Sequence, residues 1–113
     1  MHRHFRTEFL DDVKLFFKTI ETKALNKIIH NIDQAEQMND PRLFKKLSGD
    51  IWEFRAKYRN LQYRSLAFWD KSNKIDTLVI ATHRIIKKTE KMPGKEIEKA
   101  EKVRQKYFTD KSK

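Results

Sequence analysis

Arg55 and Arg64 each lie inside an apolar, strand-like run, Ile51–Tyr58 and Gln62–Asp70. A third run, Lys74–His83, leads through Arg84 to Lys87-Lys88-Thr89. Sheet interiors disfavour cations, so arginines placed here ask for an anion. A guanidinium stays charged and offers two parallel N–H donors to a phosphate or carboxylate. Alternation along a strand puts Glu53, Arg55 and Lys57 on one face and Trp52, Phe54, Ala56 and Tyr58 on the other. An even-length turn centred between Arg59 and Asn60 sets Arg55 opposite Arg64 and Glu53 opposite Leu66. Like charges directly opposite each other are destabilising, which strengthens the case for an anion between them. A second turn, centred between Ser72 and Asn73, sets Ala81 opposite Arg64 and His83 opposite Gln62. Arg55, Arg64 and His83 then share one face. The plainer alternative pairs Arg55 with Glu53 within its own strand. It makes His83 structural and Lys87-Lys88 a solvated pair.

The elements that must position these residues follow from periodicity. Residues 2–8 can form a first strand. Phe9, Val13, Phe16, Phe17 and Ile20 recur at helical spacing, which predicts a helix over 9–18. Leu25, Ile28, Ile29 and Ile32 repeat the pattern in a second helix from about Thr22 to Gln37, with Thr22 as N-cap. Asn39-Asp40-Pro41 ends it. Leu43–Leu47 reads as a connector or short turn and Ser48-Gly49-Asp50 as turn chemistry. Three hairpin-linked strands come next, and the unbroken run Leu78–Ala81 implies cover on both faces of the last. Pro93 suits the first turn of a final helix. Its apolar stripe is Ile97, Ala100, Val103, Tyr107 and Phe108, and Lys95, Lys99, Lys102 and Lys106 give it a basic face. The predicted order is β-α-α-β-β-β-α: an α+β fold, an antiparallel sheet packed by helices on one face.

The 113 residues suit a single domain spanning 1–113. There is no cysteine, which excludes disulfides and thiolate metal sites. The N-terminus lacks the apolar core of a signal peptide, and no apolar run is long enough for a membrane span. The expectation is a soluble cytoplasmic protein. His2 and His4 are two apart at a terminus, and no His, Asp or Glu spacing resembles a metal site; no metal or organic cofactor is expected. The net charge of +10 is uneven. Residues 1–50 hold nine Lys/Arg against eight Asp/Glu, and residues 51–113 hold 17 against eight. The second part is an electrostatic footprint for a polyanion: nucleic acid, the ribosome, an anionic membrane or an acidic protein.

An ordered set of motifs sharpens this choice. It comprises Lys46-Leu47, Trp52-Glu53-Phe54-Arg55, Tyr63-Arg64, His83, Lys87-Lys88-Thr89, Lys91, Pro93, Glu96-Ile97, Ala100 and Arg104. From about Phe44 to Tyr107 the chain resembles toxins of the RelE/ParE superfamily from bacterial type II toxin–antitoxin systems, closest to the HigB-like, phage-derived branch. That branch has Gly-Phe after the histidine, where this chain has Arg84-Ile85. Some relatives carry a catalytic histidine or tyrosine near the C-terminus, and Tyr107 is the residue offered here.

The resemblance implies a RelE-like fold and a ribosome-dependent mRNA endonuclease that is silenced by a cognate helix-turn-helix antitoxin. It implies metal-independent cleavage, in which the RNA's own 2′-hydroxyl attacks the adjacent phosphate. Arg55 and Arg64 would stabilise the charge gained by the non-bridging oxygens. Lys87 and Lys88, crowded by other cations, suit electrostatic or base work. Glu53 and His83 are the alternative bases. Lys57, Arg84, Lys91 and Lys95 would contact RNA and ribosome. Two other classes stand beside this one: a gyrase-directed toxin of the ParE type, and a non-catalytic RNA- or ribosome-binding module.

Overall fold

The computed structural model describes residues 4–38, 40, 42–87 and 91–112. The elements in chain order are β1 (Arg6–Phe9), α1 (Asp11–Phe17), α2 (Thr22–Gln37), β2 (Phe44–Ser48), β3 (Ile51–Tyr58), β4 (Leu61–Asp70), β5 (Thr77–Lys87) and α3 (Gly94–Lys111). The α+β class expected from the sequence is the one observed. The five strands form one sheet in the order β1-β5-β4-β3-β2. No helix among the described residues is long and apolar enough to cross a membrane.

Three details depart from expectation. Phe44–Ser48 is an edge strand paired antiparallel with β3, not a connector. Its central Lys45 and Lys46 are exposed, and they hid it from a search for apolar runs. The sheet is mixed, because β1 pairs parallel with β5. The helices cover both faces, not one. On the first face α1 and α2 bury Val13, Ala24, Ile28, Ile32 and Ala35 against Phe54, Ala56, Tyr63, Ala67, Leu78 and Ile80. On the second, Ala100 of α3 packs with Ile51, Leu66, Phe68, Val79 and Ala81, flanked by Ile97, Val103, Tyr107 and Phe108. Two-sided cover explains the unbroken run Leu78–Ala81. Each fully buried ring, such as Phe54 or Phe68, contributes about 1.5–3 kcal/mol over exposure.

The start of α2 also differs. Its N-cap is Glu21, without a side-chain capping bond, and Thr22 is the first helical residue. Similarly, Pro93 is the N-cap of α3, one residue before its first turn.

The β3–β4 hairpin closes through two residues, and Arg59 and Asn60 both have positive φ, 51° and 65°. That pair of angles marks a type I′ turn, whose twist matches the strands it joins. The even turn sets Arg55 opposite Arg64 and Glu53 opposite Leu66, as the sequence reading required. The β4–β5 register differs. Asp70 Oδ1 accepts from Ser72 N at 3.0 Å and Ser72 Oγ at 2.6 Å, an Asx-type turn that opens a longer loop. Leu66 then pairs with Thr82 and Ala67 with Ile80, which leaves Ala81 as a bulge. Together the longer loop and the bulge bring Arg84, not Ala81, opposite Arg64, and His83 opposite Ser65.

Polar contacts near both of its ends fasten α3 to the second face. Near its start, Glu96 Oε1 accepts from Arg84 Nη1 at 3.1 Å. Near its end, buried Asp70 Oδ2 accepts from Tyr107 Oη at 2.6 Å and from Lys111 Nζ at 2.5 Å. Burial alone would raise the Asp70 carboxyl, but hydrogen bonds from Lys111, Ser72 and Tyr107 outweigh it and hold the group well below the usual carboxylate range. Burial, and then the bond to Asp70, push the Tyr107 hydroxyl well above its ordinary value.

Two outcomes follow for stability. Arg59 sits where an L side chain costs roughly 1 kcal/mol, so R59N/N60G, the favoured I′ pair, raises the urea midpoint by about that stabilisation without changing the slope. Because the folded Asp70 carboxyl is depressed, its stabilisation is complete well above the unfolded value of about 3.9 and drains away as pH falls toward the folded value. Asp70→Asn therefore lowers stability at pH 7 and flattens the acid limb of a stability–pH curve, as measured by urea unfolding at stepped pH.

Candidate functional site

α3 covers only part of the second face. Below Leu66 that face carries Arg55 and Lys57 from β3, Gln62 and Arg64 from β4, and Arg84 from β5. Arg55, Arg64 and Arg84 form one row across three adjacent strands. In a two-residue hairpin the pair next to the closing pair lacks reciprocal hydrogen bonds, as does every second pair beyond it. Arg55 and Arg64 are such a pair, with Cα atoms about 4.5 Å apart and side chains close together.

The anion that this row needs is built into the chain. Glu53 is fully buried, with 0% exposure. Its Oε1 accepts from Arg55 Nε at 2.5 Å and its Oε2 from Arg64 Nη1 at 3.3 Å. Gln62 Oε1 takes Arg64 Nε at 2.9 Å and Nη2 at 2.5 Å. The intra-strand pairing of Arg55 with Glu53 is thus present, and the same carboxylate also serves Arg64. Side-chain exposure separates the three roles. Arg64 is 9% exposed, Arg55 31% and Arg84 37%. Arg55 and Arg84 offer donors to solvent, and Arg64 is the buried link that braces Arg55 through Glu53. Arg84 Nε is buried and has no hydrogen-bond partner among the described residues.

His83 does not share this face. The bulge at Ala81 turns it to the first face, where its ring stacks on Phe16 with centroids 3.6 Å apart. Its Nδ1 is buried without a hydrogen-bond partner among the described residues. Burial, and then the charge of Lys99, lower its pKa against the opposing pull of Asp12 and Glu96. Tyr107 is remote as well: Asp70, which holds it, lies six residues from Arg64, about 20 Å along the strand. Lys57 is exposed beside Arg55, and Lys95 is exposed next to Glu96, at the Arg84 end of the row. Lys91 is exposed just ahead of α3. Lys87 is the last residue of β5. Lys88 lies outside the described residues, as do His2, Asn39 and Pro41.

Sequence reasoning passed over the joint roles of Glu53, Gln62 and Glu96 as partners of these arginines. Glu53 carried a signal: a lone carboxylate between two aromatic residues in a strand whose other face is apolar. Among the described residues, no three His, Asp or Glu side chains gather in a way that would hold a metal ion.

A family model for phage derived protein Gp49-like (DUF891) matches residues 15–105. The chain belongs to this family. The match runs from α1 to α3 and includes every residue of the arginine row and its partners. No curated protein matches the chain. No solved structure matches it either.

The buried carboxylate sets an energetic expectation for this Gp49-like protein. Removing one partner of a buried ion pair leaves the other uncompensated, at a cost of about 3–5 kcal/mol. Glu53→Ala should lose about that much in urea unfolding, since Arg64 is left buried without its counter-ion. Asp50→Asn breaks a pair in which Asp50 is 69% exposed, with Arg104 at 3.2 Å, and should cost less than about 1 kcal/mol.

Proposed function

We propose that this chain is the toxin component of a type II toxin–antitoxin system, of the HigB-like branch of the RelE/ParE superfamily. In this reading it cleaves ribosome-bound mRNA without a metal, and a cognate helix-turn-helix antitoxin silences it in the cytoplasm. Its membership in the Gp49-like family, a toxin-like family related to the RelE/HigB type, supports the class. The observation that carries the chemistry is the row Arg55–Arg64–Arg84, braced from below by buried Glu53.

The reaction needs charge more than a cofactor. The 2′-oxygen attacks the neighbouring phosphorus and the bond to the 5′-oxygen breaks, leaving a 2′,3′-cyclic phosphate and a 5′-hydroxyl. One proton leaves the 2′-oxygen and one reaches the departing 5′-oxygen. Negative charge builds on the non-bridging oxygens in between. Arg55 and Arg84 meet that charge, because both are partly exposed and both point from the same face. Each is held in place before the substrate arrives, by Glu53 and Glu96 respectively, so little reorganisation accompanies the reaction. Arg64 is a positioning residue in this scheme.

Glu53 is a poor choice of base, with both oxygens bonded to arginines and no exposure. His83 stands on the opposite face against Phe16. Lys87 and Lys88 follow Arg84 in sequence and are the residues assigned to proton transfer or to further charge stabilisation. Lys57, Lys91 and Lys95 extend the cationic surface toward RNA and ribosome. The antitoxin would act by covering the row.

The test is cleavage of a message on programmed ribosomes, read by primer extension. The wild-type chain should cut, and Arg55→Ala and Arg84→Ala should each slow cutting by about 100-fold or more while still folding. They should also relieve growth arrest on expression. Absence of cutting by the wild-type chain, or wild-type rates in both variants, would sink this function. DNA-damage signalling without translation arrest would point instead to a gyrase-directed toxin.

A further inference from the structure

A second cationic feature adjoins the arginine row and shares Arg55 with it. Between α2 and the outer edge of β3 is a cleft of about 390 Å³. Its lining includes Lys27 and Asn31 from α2, Arg42, and Arg55, Lys57 and Gln62 from the hairpin. Among the described residues, no carboxylate lines it. We infer that this cleft is a phosphate subsite that holds the RNA strand next to the scissile step, with Lys27, Arg42 and Lys57 as its cations. The inference rests on the RNA-cleaving reading above.

Three observations carry it. The first is continuity: Arg55 lines the cleft and also belongs to the row, so a strand gripped at the row by Arg55 has its neighbouring phosphate at the cleft. Arg55 and Lys57 share a face and stand about 6.7 Å apart along β3, a step comparable with that between neighbouring phosphates of a stretched strand. The second is unspent charge. Lys27 and Lys57 form no ion pair among the described residues, whereas Arg42 is held by Asp40 through bonds of 3.1 and 2.9 Å. The third is a built wall. β2 pairs with β3 only as far as Phe54, so the outer edge of β3 beyond it is open to the cleft. There Leu43 O takes Arg55 N at 2.7 Å. Asn31, 4% exposed, donates from Nδ2 to Arg55 O at 3.4 Å and ties α2 to this edge. The hairpin pairing directs the N–H of Lys57, like that of Arg55, away from β4 and toward the cleft, which gives an anion a backbone donor as well.

An acidic protein segment would also be attracted to such a cleft. Nucleic acid is favoured because Arg55 is shared with the row and because the lining supplies several cations and amide donors.

The experiment measures binding of a short 2′-O-methyl RNA oligonucleotide, which has no free nucleophile, to the full chain over a series of salt concentrations. Each phosphate contact contributes a slope of about 0.7 in log K against log salt for a single strand. Lys27→Gln/Lys57→Gln should reduce the slope by about 1.4. A control of equal charge, Lys18→Gln/Lys74→Gln, alters exposed lysines elsewhere and should leave it unchanged. Binding by the wild-type chain with an unaltered slope in the double variant, or an equal fall in the control, overturns the subsite alone. No binding by the wild-type chain, together with no cutting of ribosome-bound message, overturns the subsite and the cleavage reading together.

Discussion

One buried carboxylate organises this molecule. Glu53 has no exposed surface, and a lone ionised group in such a place is costly. It is tolerated because two guanidinium groups reach it, one on each oxygen. The arginines benefit equally. They stand opposite each other on neighbouring strands, where like charges repel, and the carboxylate beneath them removes that repulsion. The arrangement depends on the tight turn at Arg59-Asn60, because only an even turn brings the two arginines level. Backbone geometry at the hairpin tip and electrostatics inside the sheet are therefore one constraint.

The second face is divided between dry and wet surface by α3. The helix is pinned near one end to buried Asp70 and near the other to Arg84. Between the two pins it lies on Leu66, Phe68, Val79 and Ala81. The strands continue past it, and the continuation is where Arg55, Lys57 and Gln62 lie. A sheet covered along its whole length would have no room for a cationic row facing solvent. The extra length of β3, β4 and β5 beyond α3 is what supplies it.

Much of this was legible in the sequence. α2 spans the residues that its apolar spacing indicated, and the first hairpin has the register that an even turn demands. Local rules suffice there, since the relevant residues are close in sequence. β2 was not legible, because Lys45 and Lys46 occupy its centre and an edge strand with one partner needs no apolar run. The register of β5 was not legible either. It depends on a side-chain bond, Asp70 to Ser72, and on an unpaired residue, Ala81, and neither leaves a mark on hydrophobic periodicity. This is why Arg84 replaces His83 in the row. The carboxylate at Glu53 was visible as a residue but not as a shared partner, because its second bond crosses to another strand.

The bulge at Ala81 also fixes the kind of charge that the row carries. Sheet faces alternate with parity, so a single extra residue exchanges which of two neighbours stands beside Arg64. Without it the neighbour would be an imidazole, whose charge comes and goes near neutrality. With it the neighbour is a guanidinium, whose planar fork of donors matches a phosphate or carboxylate on two oxygens. One inserted backbone unit thus decides the shape of the hydrogen-bonding group that stands beside Arg64.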